Sequence, residues 1–323
     1  MSEAAGRACP LRYRYGAGAI GRAPLREART LYVIGGLYGN LPALDAIEKM
    51  AAAEDGPMTL CFNGDFNWFN VDPAGFAEIN ERVLAHPATL GNVEAELFSV
   101  EEGAGCGCAY PEEVGDGFVE RSNRIHARLK ATAARFPDVL QRLSALPMVA
   151  RFRVGDCRIG VVHGDADSLA GWRFDAKALD APENRVWLEA VFRAAQVDVF
   201  ASRRTCLPAL RRFPCGSVIN NGAAGLLNFS GTRYGALTWI GVTPPVQEAL
   251  YGGVCVGAHV HALPVAYDHA AWVTRFLANW PPGSEAWLSH YRRIVAGPEY
   301  LPENAARENG LGVRNLSVRT TNG

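Results

Sequence analysis

Along the first hundred positions, apolar residues fall into short continuous runs, each closed by glycine and a polar residue. Leu31-Tyr32-Val33-Ile34 is stopped by Gly35-Gly36, which predicts a buried strand running into a turn. Pro42 then opens a helix to about Met50, with Leu44, Ile47 and Met50 on one side. A second run, 59–62, ends at Asn63-Gly64-Asp65. A helix is predicted around 73–85, and a short strand, Ala88-Thr89-Leu90, ends at Gly91-Asn92. Strand, polar turn and helix thus recur in an α/β rhythm, in which ligands bind beyond the carboxyl ends of the strands.

The middle of the chain changes period. Ile125, Leu129, Val139, Leu140, Leu143 and Leu146 recur at helical spacing, predicting a helical insertion near 101–146. Strands return at 148–153 and at 158–162, the latter ending at His163-Gly164-Asp165. The run 197–201 ends at Ser202-Arg203-Arg204, and 217–220 ends at Asn221-Gly222-Ala223-Ala224-Gly225. Apolar runs around 234–240 and 254–265 suggest the far side of a second sheet. The tail, 306–323, is polar and aperiodic and is expected to fray.

Composition narrows the partners. The chain has 323 residues and a formal net charge of −1, which argues against a nucleic-acid binder relying on a broad basic surface. No run approaches the roughly 20 apolar residues of a membrane helix, and no apolar segment follows the basic N-terminal residues as in a secretory signal. The eight cysteines form no disulfide framework, and several lie in apolar runs, which suits reduced thiols and a cytoplasmic protein. Cys106-Gly-Cys108 lacks a second pair and reads as loop cysteines rather than a zinc site.

The polar strand ends have an order: G-x-Y-G-N (36–40), G-D (64–65), G-N-V-E (91–94), H-G-D (163–165), S-R-R-T-C-L-P (202–208) and N-N-G-A-A-G (220–225). Over roughly 30–240 this resembles the calcineurin-like metallophosphoesterases, particularly the small bacterial branch. That branch reads D-x-H-G-N, G-D, G-N-[HC]-[DE], H-G, G-H-x-H and N-P-G-S-x-G. The resemblance implies one domain, 1–305, with two facing mixed β-sheets flanked by helices. It also implies two metal ions sharing a bridging aspartate, a clamp for phosphoryl transfer to water.

Carried over residue by residue, the resemblance is incomplete. The bridging aspartate corresponds to Asp65, the amide ligand to Asn92 and the mid-chain imidazole to His163. The first-motif aspartate corresponds to Gly36 and its histidine to Tyr38; the late histidines correspond to Arg204 and Cys206, and Val93 follows the asparagine. An arginine has no acceptor with which to ligate a metal, but Arg204 can supply fixed positive charge in place of a cation. The implied metal set is therefore Asp65, Asn92, His163 and Cys206, holding at most one divalent ion (Mn, Fe or Zn). Arg204, His163 and Asp65 are the implied catalytic groups, and Asn40, Tyr38, Arg203 and Asp165 the expected contacts to a small phosphorylated ligand.

Other motifs add little. His259 and His261 share a strand face as metal ligands can, but they follow the N-N-G-A-A-G motif, where the resemblance puts no histidine pair. No G-x-S-x-G elbow occurs. Three readings stay open: a hydrolase of phosphate esters with a reduced metal set, a phosphatase scaffold kept as a binding or regulatory module, and metal-free catalysis by Arg203, Arg204 and His163.

Overall fold

Alternation along the buried strands decides the architecture. In strand β2 (Thr30–Ile34), Leu31 and Val33 enter one apolar cluster while Tyr32 and Ile34 enter another, so both faces of the strand are covered. Strand β6 (Cys157–Val162) does the same, with Ile159 and Val161 on the face shared with Leu31 and Val33. Two sheets therefore pack face to face through an aliphatic layer, and helices cover their outer faces. The computed structural model describes residues 5–99 and 104–306.

One sheet has the spatial order β1 (Leu25–Glu27), β5 (Val149–Val154), β6, β7 (Val199–Ser202), β9 (Gly216–Asn220) and β8 (Ala209–Phe213). The other runs β11 (Tyr251–Cys255), β12 (Ala258–Ala266), β10 (Tyr234–Gly241), β2, β3 (Met58–Asn63) and β4 (Ala88–Thr89). Each sheet holds a parallel trio, β2-β3-β4 at the edge of one and β6-β7-β9 inside the other. Helices α1 (Ala17–Arg22) and α8 (Arg185–Ala195) bury Ile20, Leu188 and Phe192 against the first sheet. The second sheet is covered by α2 (Leu41–Ala52), α3 (Pro73–Val83), α5 (Asp116–Ala133), α9 (His269–Asn279) and α10 (Glu285–Ala296), through Leu44, Phe76, Leu129, Trp272 and Ile294. Short helices α4 (Asn92–Leu97), α6 (Pro137–Ser144), α7 (Ala176–Asp180) and α11 (Pro302–Ala305) complete the chain.

Several elements differ from the pattern-based reading. The run 254–265 is a hairpin, not one strand, because Val256 and Gly257 take left-handed φ of 46° and 76° and reverse the chain between β11 and β12. Strand β10 does not lie on the far side of a sheet; it sits centrally, antiparallel to β2. Strand β8 and helices α8, α9 and α10 were not foreseen. The expected insertion contains α5 and α6, and the expected tail, 306–323, lies outside the described residues apart from Ala306. No helix among the described residues is long and apolar enough to cross a membrane.

The two sheets are locked together where these parallel strands end. Asn63, closing β3, donates from its amide to Val162 O across the sandwich at 2.9 Å, and His163 Nδ1 returns a bond to Asn63 O at 2.9 Å. The loop after β9 bonds the loop after β2: Ala224 N to Gly35 O at 2.9 Å and Gly225 N to Gly36 O at 3.0 Å. Both sheets thereby deliver their carboxyl-end loops to one edge.

Candidate active site at the strand ends

Three of the six non-glycine residues with positive φ among the described residues, Tyr38, Asp65 and Cys206, meet at this edge. Each is held in a conformation side chains rarely choose, which marks the edge as over-determined by its surroundings. Asp65, which is 4% exposed, accepts from Val93 N at 3.2 Å through Oδ1 and from the Arg203 guanidinium through Oδ2. His163 Nε2 lies 3.5 Å from Asp65 Oδ1 and 3.2 Å from Asn92 Oδ1. Asp65, Asn92 and His163 are thus brought together.

Arg203, not Arg204, makes the ion pair with Asp65. It is fully buried, its other terminal nitrogen donates to Tyr38 OH, and its guanidinium carbon lies 4.9 Å from the Tyr38 ring centroid. Space for it comes from the two glycines after β2. A Cβ at Gly36 would meet Arg203 Nη2 at 2.8 Å and one at Gly35 would meet its Cγ at 2.3 Å. Gly36 also has φ +67°, so any side chain there would be strained as well as crowded.

Arg204 takes a different place. Its Nη2 donates to Cys108 O, and its guanidinium carbon lies 4.7 Å from the Trp172 ring centroid. Among the described residues it has no carboxylate partner, and its buried Nε has no hydrogen-bond partner. Together with Arg293, whose Nη2 donates to Cys206 O, it lines a cavity of about 270 Å³ that also reaches Asp65, Tyr38 and Cys206. Cys206 Sγ is engaged by Tyr38 OH at 2.7 Å.

The remaining predicted contacts hold the backbone. Asn40 Oδ1 caps α2 by accepting from Ala43 N at 3.0 Å, and its amide donates to Gly225 O at 2.9 Å. Asp165 accepts from Asp167 N, Ser168 N and Arg173 N, and does not line the cavity. Neither has an atom turned toward ligand, because each closes the turn it stands in. His259 and His261 stack at 5.9 Å on β12, away from this edge. The sequence reading missed Glu94, Cys108, Trp172, His290 and Arg293. Glu94 alone carried a signal: it closes the third motif, and its carboxylate accepts from Asp65 N at 2.7 Å and Asn67 N at 3.2 Å.

Electrostatics follow from burial. Burial pushes the His163 imidazole down to about 3, Asp65 working the other way, so the ring is neutral. For Asp65, burial favours the neutral acid, but His163, Arg203 and Arg204 outweigh it and hold the carboxyl below its ordinary range. Burial and the nearby Asp65 push Glu94 up to about 7. The Tyr38 hydroxyl is pushed well up by burial despite Arg203.

Solved structures decide the fold's kinship. The chain is similar to a metallophosphoesterase from Sphaerobacter thermophilus, with TM-score 0.53 and 19% identity over 84% of this chain and 100% of that one. The chain has the metallophosphoesterase fold. A hypothetical protein from Pyrococcus horikoshii shares it, with TM-score 0.56 and 16% identity over 84% of this chain and 99% of that one. No sequence-family profile matches the chain, and no curated protein matches it.

A metallophosphoesterase fold raises the question of two metals, and the residues here do not fit that pair. Gly36 offers no ligand, and the Arg203 guanidinium fills the space beside it. Arg204, which the resemblance sets at a ligand position, cannot ligate. No group of three or more His, Cys, Asp or Glu able to hold a metal occurs among the described residues. What survives is one face: Asp65 Oδ1, Asn92 Oδ1 and His163 Nε2. Because Nδ1–H of the neutral ring is given to Asn63 O, Nε2 presents a lone pair to the Asn92 oxygen at 3.2 Å. Two acceptors facing each other call for a donor or a cation, and the Arg203 guanidinium stands 3.5 Å from Nε2 through Nη1.

Proposed function

We propose that this chain is a metal-independent phosphate-ester-binding protein, a phosphoesterase scaffold kept as a ligand-binding or regulatory module. One observation carries the reading: the Arg203 guanidinium is ion-paired with buried Asp65, in the space that Gly36 leaves open. Fixed positive charge there compensates the Asp65 carboxylate as a cation would, without needing a metal. Arg204 and Arg293 supply the attraction at the cavity, since buried or half-buried cations lacking a carboxylate favour an anionic occupant. Proton transfer is poorly served. An imidazole pushed down to about 3 is a weak base at neutral pH, and a tyrosine pushed up is a weak acid.

The test is binding of glycerol phosphate or inorganic phosphate in the presence of EDTA, followed by calorimetry, alongside elemental analysis after dialysis against Mn, Zn and Fe. The expectation is binding without stoichiometric metal, weakened about tenfold or more in Arg204→Gln, the loss of one charge-assisted contact. No anion binding in EDTA would end this reading.

The facing lone pairs of His163 and Asn92 favour a second reading, a hydrolase with one divalent ion held by Asp65, Asn92 and His163. Such an ion would polarise phosphoryl oxygens and make bound water more acidic. About one ion per chain, lost in both Asp65→Ala and His163→Ala, together with metal-dependent turnover of phosphate esters, would put this reading first.

A further inference from the structure

We propose that the ligand's organic part is a flat aromatic ring, so that the site takes a small aryl phosphate or a comparable planar phosphate monoester. This rests on the anion-binding reading above and adds the apolar half of the ligand. The cavity wall is a continuous belt of rings. Tyr38 lies 5.8 Å from Phe69, Phe69 5.0 Å from His290, and His290 5.3 Å from Phe118, centroid to centroid. Phe118 then lies 5.7 Å from Tyr110, and Tyr110 6.3 Å from Trp172. All six line the cavity.

The belt ends on positive charge at both sides, Arg203 over Tyr38 at 4.9 Å and Arg204 over Trp172 at 4.7 Å. Its rings do not lie in one plane: Phe69 meets His290 at 76° and Phe118 meets Tyr110 at 85°. A wall of faces and edges suits a planar guest, which can stack on one ring while meeting the edge of the next. An alkyl chain would gain only the burial. Each ring–ring contact adds roughly two- to tenfold in affinity beyond the area covered.

The cavity of about 270 Å³ has room for one ring with one phosphoryl group. Arg204 and Arg293 line the same cavity as the rings, so charge and aromatic wall are within reach of one small molecule.

Calorimetry in EDTA compares phenyl phosphate, glycerol phosphate and inorganic phosphate on the unaltered chain. The expected result is phenyl phosphate binding about tenfold tighter than the other two. In Phe118→Leu that preference, read as the ratio of the phenyl phosphate and inorganic phosphate affinities, should shrink to about threefold or less. Equal affinities for all three, or a preference untouched by Phe118→Leu, would overturn the aromatic assignment and leave the anion site standing. If none of the three binds, the anion-binding reading and this one fall together. The comparison of ligands needs no variant, so a poorly folded Phe118→Leu would not rescue the proposal.

Discussion

A single substitution explains little at this site; a reciprocal one explains much. The correspondence that places Gly36 at the first-motif aspartate also places Arg203 at the glycine preceding the late histidines. The loop that the resemblance would give a carboxylate carries glycine, and a guanidinium from another loop fills the space beside it. Removing one partner of a buried pair leaves the other uncompensated, so Asp65→Ala should cost about 3–5 kcal/mol in denaturant unfolding. Asp65→Ala combined with Arg203→Met should cost much less, and simple additivity of the two single losses would sink the argument. His126 gives a prediction in pH. It is 3% exposed, bonds Val93 O through Nε2 at 3.0 Å, and burial pushes it down to about 4 from 6.5. A depressed folded-state pKa means that the unfolded chain takes up its proton first, so stability is lost as pH falls from 6.5 toward 4. Between pH 7 and pH 5 the chain should lose about 2 kcal/mol more than His126→Gln, measured by urea unfolding at both pH values.

At the scale of elements, the strand-end loops matter more than the strands. The turn after β9 is fastened onto the turn after β2 through Gly225, where a Cβ would lie 1.9 Å from Leu37 O. Backbone cannot yield as a flexible side chain can. Gly225→Ala should therefore lower the thermal midpoint by several degrees, the effect of about 2 kcal/mol or more in a chain of this size, whereas Gly115→Ala, with open space around it, should not. The buried strands were legible because a continuous apolar run between turn residues has few alternatives. Residues 31–34 and 158–162 fall inside β2 and β6. Helices α9 and α10 were not, since their pattern follows two β-hairpin strands and the resemblance ended near residue 240. Yet α10 contributes His290 and Arg293 to the cavity. Five of the six rings thus lie outside the motifs: Phe69, Tyr110 and Trp172 from loops, Phe118 from α5 and His290 from α10.

The molecule as a whole has the metallophosphoesterase fold, and the metal content proposed for it can be tested by exchanging residues. If the exchange of Gly36 and Arg203 is what excludes one metal, reversing it should admit metal again. Gly36→Asp alone should destabilise the chain by colliding with Arg203, while Gly36→Asp with Arg203→Gly and Tyr38→His should raise the metal bound per chain, read by elemental analysis. Unchanged metal content in a folded triple variant would show that more than this exchange closes the site. From the sequence came the α/β rhythm and the order of polar loops, because apolar runs and the glycines that stop them act locally, while the two-sheet sandwich was implied by the resemblance those loops carry. The same resemblance named Asp65, Asn92 and His163, each in a motif that closes a predicted strand. Only the tertiary structure decided which arginine meets Asp65. Arg203 and Arg204 are adjacent and chemically identical, and the choice depends on which of them faces the room left by Gly35 and Gly36 from across the sandwich. The aromatic belt was likewise invisible in the chain, because its rings are brought from positions 38 to 290 by packing and share no local pattern.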